Sequence, residues 1–212
     1  MSVESELLDL LCSARAMRRL KPDPIPDELL DQVLRAAVSA PNGGNRQNWR
    51  FLVIKDAAVK QRVQYYYKKA LDEVIAPQYR TSDPPTGVTR EQYDRQLEAV
   101  IYLTEHFHEA PVWIVACLDE GNSIPSRWSG ASIYPAVQNI LVASRALGLG
   151  ATLTTRHMFY ESEVEEILGL PSSVHSYAII PMGYPIGRFG PVRRKPVSDV
   201  VYLDRWGNKW NG

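Results

Sequence analysis

The chain reads as a single α+β domain, and three observations lead there. Three β-patterned runs, 49–56, 111–119 and 176–185, are separated by long segments whose apolar residues recur at helical spacing. No internal repeat or low-complexity linker divides them. At 212 residues, 45% hydrophobic and 23% charged, the chain can bury one substantial core and is composed like an ordinary globular domain. The economical account is one domain, 1–212, with roughly three to five strands and about six helices.

Residues 3–13 place Val3, Leu7, Leu8, Leu10 and Leu11 on one helical stripe, with Ser2 as N-cap. The basic stretch 14–26 follows, kept extended by Pro22, Pro24 and Pro26. Asp27 is positioned to cap a second helix, whose stripe is Leu29, Leu30, Val33, Leu34, Ala37 and Val38. That helix stops at Ala40-Pro41, before the turn Asn42-Gly43-Gly44-Asn45. The first strand is 49–56. Residues 57–81 and 90 to about 108 read as helices around a loop at 81–88, and 111–119 is the second strand.

Residues 126–151 form a loop entering a strongly apolar helix. Ala136, Val137, Ile140, Leu141, Ala143 and Leu147 leave it little polar surface, so burial on more than one side is expected, with Gly148 and Gly150 ending it. A short strand at 151–155, a helix at 161–168 ended by Gly169, and the strand 176–185 follow. The tail 187–212 has few helical signals, and 197–203 is expected to be one more strand. A tail that leaves its own core invites exchange with a partner subunit.

Formal net charge is zero, which disfavours non-specific nucleic-acid or membrane-surface binding. No apolar run approaches a membrane span, and the acidic, amphipathic start is unlike a signal peptide, so the expected location is cytoplasmic. Cys12 and Cys117 are far apart and outside any CxxC; they read as free buried thiols of a reducing compartment. The histidines at 106, 108, 157 and 175 have no zinc spacing and no HExxH, so no metal is expected. No GxSxG elbow suggests a hydrolase.

Four segments can carry chemistry. Arg15-Ala16-Met17-Arg18-Arg19 places guanidinium groups on extended backbone, suited to phosphate; alone, it reads more readily as a solvated charge run. The loop 40–49 pairs two glycines with Asn42, Asn45 and Gln47, which suits a close-approaching ligand or simply a turn. Thr152, Leu153, Thr154 and Thr155 offer hydroxyls on a strand, a common feature of ordinary strands as well. Arg193-Arg194-Lys195 could share a phosphate with the first cluster or lie on a surface turn.

In order and spacing, these segments resemble the FMN-dependent nitroreductase family over nearly the whole chain. The matching stretches are Arg15–Leu20, Ala40–Trp49, the helix through Ser132–Asn139 ending in Leu147–Gly150, Met182-Gly183-Tyr184-Pro185 and the Arg-Lys-Pro turn. Ala16 stands where the family has Ser, Asn42 where it has a small hydroxyl residue, and Asn48 where it has Pro. The resemblance implies a central, mostly antiparallel sheet flanked by helices. It also implies a homodimer with FMN at the subunit interface and a C-terminal extension reaching the partner.

By the same resemblance, Arg15, Ala16, Met17 and Arg18 would hold the FMN phosphate, ribityl chain and pyrimidine edge. Arg194, with Arg193, would bind the phosphate. Pro41, Asn42, Gly43 and Asn45, with Gln47 nearby, would come from the partner. Leu153, Thr154 and Thr155 would run along the flavin, with Thr155 near N5 as the catalytic contact. NADH or NADPH would donate hydride, and nitroaromatic, quinone or related acceptors would take the electrons by a ping-pong mechanism. The alternatives are a reductive dehalogenase of the same fold or a flavin-storage or redox-sensing protein. Residues 62–108 would form a helical lid, with Tyr65, Tyr66, Tyr67, Tyr79, Tyr93, Tyr102, Phe107 and Trp128 as either its aromatic walls or core.

Overall fold

The computed structural model describes residues 3–210, with side chains from Glu6 onward; the Ser2 cap lies outside the described residues. Its frame is a four-stranded antiparallel sheet in the order β1-β2-β4-β3, formed by Trp49–Ile54, Val112–Asp119, Gly150–Ala151 and Val174–Gly183 in chain order. β2 decides the layering, because every residue from Val112 to Leu118 is buried. Strand side chains alternate between faces. Val112, Ile114, Ala116 and Leu118 therefore enter one core, whereas Trp113, Val115 and Cys117 enter another.

Two helices close the first core. α2 (Asp27–Val38) supplies Leu30, Val33 and Ala37, and α6 (Arg127–Ala146) supplies Ile133, Ala136, Val137 and Ile140. Asn139 ties them by donating to the Ala36 carbonyl at 2.8 Å. α3 (Ala57–Ala70), α5 (Arg90–Glu105) and α7 (Glu161–Leu168) close the second. Here Tyr67 stacks on Phe107 and Phe107 tilts against Trp113, with centroids 4.0 and 4.2 Å apart. Lys60 of α3 is buried, and its ammonium donates to the Ala110 carbonyl at 2.8 Å. The helix expected over 57–81 passes through a π-helical stretch, Leu71–Ile75, into α4 (Ala76–Thr81). α5 starts on a capping box between Thr89 and Gln92. No described helix is long and apolar enough to cross a membrane.

The structure corrects several expectations. Asp27 begins α2 instead of capping it; Pro26 occupies the cap, and the Asp27 carboxylate pairs with Lys55. The strand expected at 151–155 shrinks to Gly150–Ala151 plus one bridge from Thr154 to Ile179. The strand expected at 197–203 is instead α8 (Val197–Val200) followed by a hairpin bridge from Tyr202 to Lys209. Cys12 is exposed on α1 (Val3–Ser13), because the apolar stripe there, Leu7, Leu8 and Leu11, also faces outward. Cys117 is buried, and burial pushes its thiol up to about 12. Within one chain α6 is buried on its inner side only; Trp128, Tyr134 and Gln138 remain exposed.

The free edge of the sheet positions the basic stretch. Met17 N–H donates to the Ala151 carbonyl at 3.1 Å, Lys21 N–H to Tyr184 at 2.8 Å, and Ile186 N–H to Arg19 at 3.0 Å. Gly150 makes this contact possible: a Cβ there would stand 2.9 Å from Leu20 Cδ2 and from Met17 Cβ, and 3.2 Å from Pro185 Cβ. We expect Gly150→Ala to destabilise the fold by about 1–3 kcal/mol through overpacking. Chemical denaturation checks it, and an unchanged midpoint would mean that the 14–21 segment shifts freely.

Candidate functional site

Pinned through its backbone, the stretch from Arg15 to Arg19 projects its guanidinium groups in different directions. Arg15, Ala16 and Arg18 line a cleft of about 370 Å³ with Leu153 and Arg194. The C-terminal half of α6 forms its wall through Gln138, Leu141 and Arg145. Arg145 fastens the surroundings: it donates to Ser13 Oγ at 3.2 Å and lies 4.2 Å over the Phe189 ring. Arg19 turns the other way and stacks over Tyr102 at 4.6 Å. Met17 is buried in the core, so only its backbone is available here. Arg193 does not line this cleft; its carbonyl accepts from Arg194 at 2.9 Å.

The loop after α2 lies elsewhere. Pro41, Asn42, Gly43 and Gly44 line a second cleft, of about 620 Å³, against Trp128, Ser132 and other residues in the N-terminal half of α6. Gly43 N–H donates to Ser132 Oγ at 3.2 Å. The loop is internally ordered, because Asn42 Oδ1 accepts from Gln47 N–H at 3.0 Å and Asn45 Oδ1 accepts from Gln47 Nε2 at 3.2 Å. Gly44, Asn45 and Gln47 have left-handed φ of 61°, 52° and 51°, with right-handed Arg46 between the last two. Asn48 clamps the loop to β2, donating to the Asp119 carbonyl at 2.9 Å.

The sequence-derived site residues therefore fall into two groups within one chain, one at each half of α6. Between the strands, Thr154 is buried and its hydroxyl donates to Ile179 at 2.8 Å, whereas Leu153 and Thr155 are exposed. Arg156 follows at once, in a 3-10 turn (Arg156–Tyr160), and points back into the helical layer. It donates to Thr104 Oγ1 at 2.7 Å and lies 4.1 Å over the Tyr67 ring. Sequence reasoning missed Arg156. An isolated arginine after Thr-Thr carries no spacing signal, and its partners Tyr67 and Thr104 are distant in the chain.

None of Arg15, Arg18, Arg156 and Arg194 has a carboxylate within 4.0 Å among the described residues. The carboxylates concentrate elsewhere. Glu161, Glu165 and His175 bring ligand-capable atoms within 4.8 Å of one another, but Glu165 Oε1 is already held by Ser176 N–H and Oγ at 2.6 and 2.9 Å.

The family model described as the nitroreductase family matches residues 13–184. The chain belongs to the nitroreductase family and so to the oxidoreductases. NADH dehydrogenase of Thermus thermophilus is 30% identical over 197 residues, 88% of this chain and 90% of that protein. Iodotyrosine deiodinase of Thermotoga neapolitana is 29% identical over 195 residues, 92% of this chain and 95% of that protein. Among solved structures, oxidized iodotyrosine deiodinase bound to FMN and 3-iodo-L-tyrosine is similar with a TM-score of 0.72 at 26% identity, covering 94% of this chain and 98% of that one.

The turn after Thr155 rests on His157, which is fully buried and lies 3.2 Å from Ser176 Oγ. Because Ser176 gives its proton to Glu165, His157 is assigned as the neutral tautomer with its proton on Nε2. Burial lowers its pKa from 6.5 to about 4. In the unfolded chain His157 protonates first, so its contribution is complete above pH 6.5 and is lost as pH falls toward 4. We expect up to about 3 kcal/mol of stability to disappear across that window. His157→Gln should flatten this part of the stability–pH curve, and an equally steep variant curve would assign the slope to other groups.

Proposed function

We propose that the protein is an FMN-dependent oxidoreductase that works as a homodimer and takes hydride from NADH or NADPH. The carrying observation is the cleft in which Arg15, Arg18 and Arg194 converge without a carboxylate partner among the described residues. Three unpaired guanidinium groups suit a phosphate and an electron-rich ring edge. The FMN-bound deiodinase structure supports the same ligand. A bound FMN would supply the redox chemistry, receiving hydride from the nicotinamide and reducing a nitroaromatic, quinone or related electron-poor acceptor in a ping-pong cycle.

The chain's own residues would then do the following. Arg194 and Arg15 hold the phosphate, with Arg193 in reserve at the surface. Arg18 holds positive charge at the pyrimidine edge. Leu153, Thr154 and Thr155 present one wall, with Thr155 nearest the reacting nitrogen. The partner's copy of the Pro41–Gln47 loop covers the other side and narrows access for water. A two-fold axis near the middle of α6 would bring the N-terminal half of one helix, with its loop, to the arginine cleft of the other. The exposed Trp128, Tyr134 and Leu153 suit such an interface. The tail from 196 to 210 makes hydrogen bonds only within itself among the described residues, and exposes Val197, Val200, Leu203 and Trp206. It is the proposed arm to the partner.

Reductive dehalogenation is the second reading. Deiodinases are among the relatives, and the lid carries stacked aromatics, Tyr79 on Tyr93 with centroids 4.8 Å apart. Anaerobic turnover of a halophenol beside a nitroaromatic and a quinone separates the two.

Two outcomes test the main reading. Sedimentation should give twice the chain mass, and Trp206→Asp should weaken that association; a monomeric holoprotein would remove the partner loop from the site. Arg18→Ala should weaken FMN retention by ~1.5–3 kcal/mol, roughly ten- to a hundredfold. If it leaves both retention and the rate of reduction by NAD(P)H unchanged, the role given to Arg18 is wrong.

A further inference from the structure

Arg156 is a half-buried cation whose guanidinium is turned inward. Its two fixed contacts, the Thr104 hydroxyl at 2.7 Å and the Tyr67 ring at 4.1 Å, are to residues with no exposed surface. Neither contact carries a formal negative charge. Desolvation lowers its pKa, and the charges acting on it come from Tyr67, Arg18 and Tyr79, with no carboxylate among them. Beside it the Tyr67 hydroxyl is buried, close to the Thr154 hydroxyl but without a hydrogen bond of normal geometry among the described residues. A buried guanidinium is destabilising unless negative charge offsets it. Acidic side chains are available on the same lid helices, yet they pair at the surface, as Glu91 does with Arg95 and Asp72 with Lys68.

Two links tie this pair to the cleft. Arg156 directly follows Leu153-Thr154-Thr155, of which Leu153 lines the cleft. Arg18 lines the cleft, and its charge acts on both Arg156 and Tyr67. The guanidinium is held against Tyr67 and Thr104 and does not line the cleft, so its reach there is through the field, which partly buried surroundings screen less than bulk water. A bound FMN would supply two-electron chemistry with NADH or NADPH as the reductant, and its ring would carry a negative charge in the reduced form that it lacks in the oxidised one.

We propose that Arg156, seated on Tyr67, is a positioning charge behind the flavin site, which favours the reduced, anionic cofactor over the oxidised one and supplements Arg18. The inference rests on the flavin reading above. Arg156 is charged in either redox state and the FMN phosphate is anionic in both, but only the reduced state would add negative charge to the flavin ring. It should therefore change the ratio of affinities for reduced and oxidised FMN more than either affinity in isolation.

The test is the FMN midpoint potential, with the affinity for oxidised FMN measured alongside, in the parent protein, Arg156→Gln and Arg156→Lys. Arg156→Met, close in volume to the aliphatic stem, serves where the glutamine variant does not hold its fold. Loss of the charge should lower the reduced-to-oxidised affinity ratio about tenfold, a shift of about 30 mV toward more negative potential for a two-electron couple. The lysine variant should recover most of it. A ratio within about twofold of the parent overturns the proposal. So does an equal loss in the lysine and neutral variants, which would mark Arg156 as a packing residue. Failure of the parent itself to bind FMN would instead overturn the flavin reading, and is seen before any variant is made.

Discussion

The burial of β2 on both faces is the constraint on which the rest of the structure depends. A strand with Val112 through Leu118 out of water cannot sit on the surface of a two-layer fold, because each face needs its own cover. Even-numbered residues need α2 and α6, and odd-numbered residues need α3, α5 and α7. β4 shares this burial and pairs with β2 along almost its whole length, which leaves β1 and the very short β3 as edges. With only Gly150 and Ala151 in β3, the adjacent sheet edge is open to the backbone of the basic stretch. The arginine cleft is thus a consequence of where the sheet stops.

That origin explains why the candidate site is divided. α6 is a core helix on its inner side, so it holds the loop at one end and the arginine cleft at the other in fixed relation to the sheet. One chain cannot fold these ends onto each other without abandoning the β2 core. The proposed dimer would complete a single cavity from both groups with a second copy. The unpaired guanidinium groups fit the same logic: acidic residues are placed on outward helix faces, leaving the cleft net positive in a chain with no net charge overall.

Much of the fold was legible because two periodicities were clean. β2 is an unbroken apolar run from Val112 to Leu118, β4 is apolar from Tyr177 to Met182, and α2 carries one stripe against one core. What was misread had weaker local causes. At Asp27, a good capping residue stands one place too late, and Pro26 takes the boundary with its fixed φ. Residues 197–203 are rich in valine, yet no strand of the sheet lies beside them, so β-propensity had no partner to act through. Cys12 sits on a helix whose apolar stripe faces away from its own core, which a single sequence cannot distinguish from an inward one. In the site, the arginines and the Asn/Gly loop were visible as motifs. Their separation within one chain was not, and neither was Arg156, whose importance lies in contacts with Tyr67 and Thr104 made only on folding.

The Pro41–Gln47 loop has a consequence for assembly. Three of its residues are left-handed, and two of those, Asn45 and Gln47, are not glycine. Such backbone is unfavourable in isolation, and here it is settled during folding by Asn42, Ser132 and Asn48. In the proposed dimer, a subunit would therefore meet its partner with this surface already shaped. Little conformational freedom remains for encounter to remove, so association can be fast. It can also be discriminating, since a related chain whose loop is ordered differently offers the wrong relief to the arginine cleft and has no cheap way to adjust.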